Sequence, residues 1–210
     1  SEKIRRIVAK DFQDELGNHL ASISMFVQVL QAKLSPRKED IGQILDKLEE
    51  YSRDLFSNAK DFVWSLEPKS DYVQETIHYI KDLGEEIFDK TEVDFIVDDD
   101  ASLLKDDKFQ PGSSRQIILI IKEAFTSFVR LNMKGMLTLR IIKENENYKF
   151  ILKEEGVGLP LKMLEGCKSY QNIVKRTEKN GYKIIHQRDK NSTLLIFAVD
   201  NPDADKRYLN

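Results

Sequence analysis

The sequence predicts an α+β fold: a long antiparallel helical hairpin, then a mixed sheet covered by helices on one face. Three observations predict it. Residues 1–66 carry two apolar stripes at helical spacing, parted by Ser35-Pro36. Past Pro68 the pattern shifts to short alternating runs, two of them joined by Glu144-Asn145-Glu146-Asn147, a hairpin signal. Between those runs lie amphipathic helical stretches, and such a mixture favours a sheet with helices packed on it.

The first helix is expected over residues 1–34. Its apolar positions are Ile4, Val8, Phe12, Leu16, Leu20, Ile23, Val27, Leu30 and Leu34, with a heptad step from Leu16 onward. A helix of that length spans roughly 50 Å. Pro36 after Ser35 then reads as the start of a second helix. That helix runs to Leu66 with Ile41, Ile44, Leu48, Tyr51, Leu55, Ala59, Phe62 and Leu66 as its seam. Two such helices cannot enclose their stripes alone, whereas two hairpins can, as a four-helix bundle. A homodimer is therefore expected.

Glu67-Pro68-Lys69-Ser70-Asp71 reads as a hinge. Tyr72–Phe88 follows as an amphipathic helix on Val73, Ile77, Ile80, Leu83 and Ile87, with Gly84 weakening its last turn. Glu92–Val97 is a β-branched strand ended by three aspartates, and Pro111-Gly112-Ser113-Ser114 caps a helix over Arg115–Leu131. Met136–Lys143 and Tyr148–Lys153 are strands. Glu155-Gly156-Val157-Gly158-Leu159-Pro160 is a turn, and Ser169–Lys179 a helix stopped by Asn180-Gly181. Tyr182–Gln187 and Thr193–Val199 are the last strands. The expected division is 1–68 hairpin, 69–200 α+β domain and 201–210 a frayed tail.

Composition narrows the function. The chain has 210 residues, 33% charged and 40% hydrophobic, which is globular and not disordered. A net charge of -3 gives no basic excess of the kind that nucleic acid or an anionic membrane attracts, so neither is expected as a partner. No apolar run reaches membrane-span length, and the first residues have no signal-peptide core. One cysteine, Cys167, fits a reducing, cytoplasmic setting. His19, His78 and His186 are too scattered for a histidine metal site. The stripe already present at Ile4 and Val8 reads as a coiled coil continuing upstream.

Five segments carry a family likeness. Arg6-Ile7-Val8-Ala9-Lys10-Asp11-Phe12-Gln13-Asp14-Glu15-Leu16-Gly17-Asn18 resembles the dimerisation and phosphoacceptor segment of two-component sensor histidine kinases, in the nitrate-sensor and thermosensor branch. Trp64-Ser65-Leu66-Glu67-Pro68 resembles the end of the second bundle helix, and Ile121-Lys122-Glu123-Ala124-Phe125-Thr126 the opening of the N box. Glu154-Glu155-Gly156-Val157-Gly158 is similar to the family's adenine loop, and Asn172-Ile173-Val174-Lys175-Arg176 to the helix after the lid. The resemblance spans essentially the whole chain. It implies a GHKL-type ATPase-like sandwich after the hairpin, ATP and Mg²⁺ as cofactors, and a response-regulator receiver domain as partner.

The departures bear on activity. The family's phosphoacceptor histidine falls at Gln13, whose carboxamide nitrogen has a delocalised lone pair and is no nucleophile. Sequence does not separate natural loss from deliberate replacement. His19 lies about 240° further around the helix. Asp14 matches the acid beside the family's histidine. Asn18 falls where a glutamine orients water for dephosphorylation, and the two share a helix face at i and i+4. The resemblance implies nucleotide contacts at Glu123, Ser127, Arg130, Glu154, Gly156 and Gly158, with Glu123 and Ser127 as Mg²⁺ ligands. Ser127 replaces an asparagine, and Glu154 an aspartate whose position reads adenine. Gly166-Cys167-Lys168-Ser169-Tyr170 puts side chains where lid glycines belong, and the late Gly-x-Gly-Thr turn has become Lys190-Asn191-Ser192-Thr193. Weak or absent ATP binding is expected, in a degenerate kinase that dimerises and docks a regulator, with a residual phosphatase role for Asp14 and Asn18. The alternative is an active kinase whose acceptor histidine was mutated.

Overall fold

In the computed structural model, residues 2–32, 38–99, 107–131, 134–144, 147–155, 166, 168–189 and 192–199 are described. Two compact units divide the chain, residues 1–68 and 69–210.

The first unit is the hairpin. Its two helices are α1 (Glu2–Ala32) and α2 (Lys38–Ser65), and the expected turn at Ser35-Pro36 lies outside the described residues. Their seam residues meet across the pair. Phe12 and Phe62 stack with centroids 3.8 Å apart, and Phe26 lies 5.6 Å from Tyr51. Stacked and offset aromatic pairs stabilise beyond their buried area. Of the expected α2 seam only Ile44 is buried; Ile41, Leu48, Tyr51, Leu55, Ala59 and Phe62 are half-buried, and Leu66 at its end is 38% exposed. A second α2 stripe faces outward, with Leu45, Phe56 and Val63 at 52%, 76% and 61% exposure. The steps of 11 and 7 keep these three within about 20° of one line. On α1, Leu20 is 54% exposed.

The second unit begins with a 3-10 turn at Pro68–Asp71. The sequence reads this segment as a hinge, but from Ser70 onward it is tied into the sheet domain. The buried Ser70 carbonyl accepts from the hydroxyls of Ser114 and Thr76. Asp71 accepts at its carbonyl from Phe109 N, and Val73 N donates to Asp107 O. Helix α3 (Val73–Phe88) then buries Val73, Ile77, Ile80, Leu83 and Phe88. Gly84 is a packing requirement in that helix, because a Cβ there would lie 2.1 Å from the Phe95 ring.

Strand β1 (Val93–Asp99) continues two residues into the aspartate run, because Asp98 pairs with Arg140 of the neighbouring strand at 3.4 Å. Helix α4 (Ser113–Arg130) starts after Gly112 with φ at 89° and no side-chain cap. Ser114 does not cap its own helix, since its hydroxyl goes to Ser70. Strands β2 (Gly135–Glu144) and β3 (Asn147–Glu155), helix α5 (Lys168–Lys179), and strands β4 (Lys183–Asp189) and β5 (Ser192–Val199) complete the unit.

The five strands lie in the order β1-β2-β3-β5-β4. Only β1–β2 is parallel. That pair is the one bridged by a long helical crossover through α4, as a parallel connection requires. The period-2 pattern is clean on the inner strands: Leu137, Leu139 and Ile141 of β2, Tyr148, Phe150 and Leu152 of β3, and Leu195, Phe197 and Val199 of β5 are buried. Their intervening neighbours are partly or fully exposed. One face therefore packs on helices while the other stays open, as expected for this class. Phe150 and Phe197 stack at 4.8 Å in the centre, and Phe88, Phe95 and Phe125 join α3, β1 and α4.

Candidate functional site

The acceptor position and its neighbours lie on the hairpin. Gln13 is within α1, Asp14 and Asn18 are exposed, and Asn18 accepts the Ser22 hydroxyl at its backbone oxygen, 3.0 Å away. Two exposed side chains one turn apart can meet a partner surface directly. His19 points away from the acceptor position. It is half-buried toward α2, with Nε2 3.3 Å from Asn58 Nδ2 and its ring 6.2 Å from that of Tyr51. A histidine turned into the hairpin is poorly placed as a replacement acceptor, and sequence spacing alone did not reveal Asn58 as its neighbour.

The nucleotide-related residues fall on α4, β3 and the start of α5. Glu123, Ser127 and Arg130 sit on the last two turns of α4, and Glu154 near the end of β3. Glu154 is 2% exposed and in register with Thr193 of β5 on one side and Leu137 of β2 on the other. The sheet thus brings the expected adenine-reading position beside the last residue of the altered Gly-x-Gly-Thr turn. Gly156, Gly158, Cys167, Lys190 and Asn191 lie outside the described residues.

A cavity of about 20 Å³ lies between α4, α5 and β5, lined by Ala124, Ser127, Phe128, Tyr170, Ile173, Thr193 and Leu195. It has room for about one water. Ser127 reaches the cavity wall, but its hydroxyl donates to Glu123 O at 2.8 Å, the back-bond serines make to the preceding helical turn. The Glu123 carboxylate accepts from Asn172 Nδ2 at 3.2 Å, and Arg130 Nη1 donates to Ser169 Oγ at 3.2 Å. The described residues of this arrangement do not fit a Mg²⁺ ion as they stand: one expected ligand is bonded to its own helix and the other to α5. Nor do the described residues contain a cluster of three or more metal-ligating side chains. Sequence reading missed Asn172 and Ser169 as partners of the site; their i, i+3 spacing on a helix after a lid-like segment was the available signal.

Elsewhere in the unit, Asp107 pairs with Lys143 at 2.9 Å, both a quarter exposed. Burial alone would raise the Asp107 pKa, but hydrogen bonds from Lys143 and Tyr148 and the Lys143 charge outweigh it and hold the carboxyl below its usual range. This pair fastens the segment before α4 to β2 and has no evident part in the site.

Hairpin and sheet geometry invite comparison with known proteins. Residues 5–71 match a histidine kinase family, HisKA_3. No curated protein matches the sequence. The fold is shared with solved histidine kinases. The histidine kinase domain of the Erythrobacter litoralis EL346 blue-light-activated histidine kinase superposes with a TM-score of 0.60 at 13% identity, covering 94% of this chain and 96% of that one. The Acinetobacter baumannii histidine kinase AdeS gives 0.53 at 10% identity, over 89% and 97%. The catalytic domain of the histidine kinase ThkA gives 0.50 at 15% identity, over 63% of this chain and 95% of that one. The chain therefore shares the fold of these solved histidine kinases, a helical hairpin followed by an α/β domain, with the family match confined to residues 5–71. No helix among the described residues is long and apolar enough to cross a membrane.

Proposed function

We propose that this chain is the cytoplasmic signalling module of a two-component sensor that no longer works as a histidine kinase. It dimerises through residues 1–68 and docks the receiver domain of a response regulator on the face carrying Asp14 and Asn18. The observation that carries the reading is Gln13, at the acceptor position within the segment that matches the histidine kinase family. A carboxamide cannot take up a phosphoryl group from ATP and pass it to an aspartate. The domain of residues 69–200 is then a nucleotide-binding relative with an altered site, and residues 201–210 are a tail. Glu123, Ser127, Arg130, Glu154, Gly156 and Gly158 are the remnant of that site. ATP and Mg²⁺ bind it weakly or not at all.

The outward stripe of Leu45, Phe56 and Val63 supports dimerisation, since apolar residues aligned along an exposed helix gain by being covered. Exposed Asp14 and Asn18 support a residual phosphatase role, with the Asn18 amide orienting water toward a phosphorylated receiver.

The test is a pair of incubations of the full chain. With labelled ATP and Mg²⁺ the protein should stay unlabelled. With a panel of phosphorylated receiver domains, at least one should bind and lose phosphate faster, and Asn18→Ala should abolish the acceleration. Acid-stable or acid-labile label on the chain itself would return it to the active kinases, with Gln13 as the only lesion.

A further inference from the structure

Helices α4 and α5 are joined by three polar rungs. Gln116 Oε1 accepts from Arg176 Nη1 at 3.2 Å and from Asn180 Nδ2 at 3.4 Å. Glu123 Oε1 accepts from Asn172 Nδ2 at 3.2 Å, and Ser169 Oγ accepts from Arg130 Nη1 at 3.2 Å. Gln116, Glu123 and Arg130 are seven residues apart, so they form one stripe along α4, drifting about 20° per step. The partners run the opposite way along α5, at 180 and 176, then 172, then 169. Between the second and third rungs, Tyr170 and Ile173 line the cavity that Ser127 also borders.

The chemistry of the upper two rungs is specific. Glu123, a carboxylate that would face a cation, is met by an amide N–H. Arg130, a guanidinium that would face a phosphate oxygen, is met by a hydroxyl oxygen. We propose that α5 is an internal competitor of nucleotide, with Asn172 standing in for the metal ion at Glu123 and Ser169 for a phosphate oxygen at Arg130. This rests on the reading of residues 69–200 as a nucleotide-binding relative, and it adds a cause of weak binding: α5 occupies the site's polar groups, beyond any loss from the changed residues at 127 and 154.

The test uses the full chain and Mg²⁺–ADP as the probe, followed by calorimetry. Asn172→Ala with Ser169→Ala should bind at least about tenfold more tightly than the unaltered protein. Adding Glu123→Ala should cancel the gain. Equal or weaker binding by the double variant, with unchanged circular dichroism, overturns the proposal. Should the double variant fold poorly, hydrogen exchange of the unaltered protein decides: excess Mg²⁺–ADP should speed exchange along Ile173–Lys179, and slower or unchanged exchange overturns the proposal. The underlying reading fails separately. Micromolar binding by the unaltered protein ends it whatever the variant does, whereas weak binding by both proteins ends only the competitor role of α5.

Discussion

Gly84→Ala tests the packing that holds the sheet domain together. The Cβ introduced would lie 2.1, 2.4 and 2.9 Å from three atoms of the Phe95 ring, where ordinary contact needs about 3.5 Å or more. The ring cannot simply swing away. Its centroid is 5.5 Å from that of Phe88 and 4.9 Å from that of Phe125, and both of those rings are buried. Overpacking a filled core costs about 1–3 kcal/mol, and this contact belongs at the upper end. Alanine offsets about 1 kcal/mol of that through its better helix propensity. The net loss is about 2 kcal/mol, or a fall in Tm of about 4–8 °C for a domain of this size. Thermal unfolding followed by circular dichroism reads the shift. Phe95→Leu should cost less beside Gly84→Ala than alone, because the smaller side chain relieves the contact. A Gly84→Ala protein melting at or above the unaltered one would refute the reasoning, as would strictly additive costs in the double variant.

Other perturbations test other parts of the account. Sedimentation of the 24.4 kDa chain at micromolar concentration should show about twice the monomer mass, and Phe56→Glu with Val63→Glu should give a monomer of unchanged helicity. A monomer before substitution, or an intact dimer after it, contradicts the proposed face. Asp107 has a lowered folded-state pKa, so its contribution to stability is full above the ordinary carboxylate value and is lost as pH falls through the folded value. Asp107→Asn should therefore lower stability at neutral pH and flatten the loss on acidification below about pH 4; an unchanged acid profile counts against the pair. Ser127→Asn with Glu154→Asp should tighten Mg²⁺–nucleotide binding if the changed residues matter, and no change would place the block in α5.

Much of the architecture was legible because periodicity reports burial directly. The alternation through Leu137, Leu139 and Ile141 is also the burial pattern of β2. What pattern could not show was where polar groups find partners at a distance in sequence. Ser114 reads as a cap and instead satisfies Ser70, 44 residues away. Asp98 reads as a strand terminator and instead stays in the ladder beside Arg140. Gly84 reads as a weak helix position, although the contact that requires it comes from Phe95 on the next strand. The site behaved likewise. Gln13 and Ser127 were recognisable as altered positions from their places in the motifs, whereas the engagement of Glu123 by Asn172 and of Arg130 by Ser169 depends on how two helices separated by two strands pack together. The angle of His19 around its helix was legible, but not Asn58, which the opposing helix places beside it.

The most direct measurement of the central claim is a calorimetric titration of the full chain with ATP in the presence of Mg²⁺. In the family it resembles, a carboxylate at position 154 accepts from the adenine amine, and misplacing such a charged hydrogen bond costs about 1.5–3 kcal/mol. Each 1.4 kcal/mol is about a tenfold change in affinity. With the Glu123 carboxylate already engaged by Asn172 and the Ser127 hydroxyl bonded to its own helix, the account predicts a dissociation constant near millimolar or no measurable heat. A micromolar constant that is lost in Glu154→Ala would contradict the account and restore a nucleotide-dependent kinase.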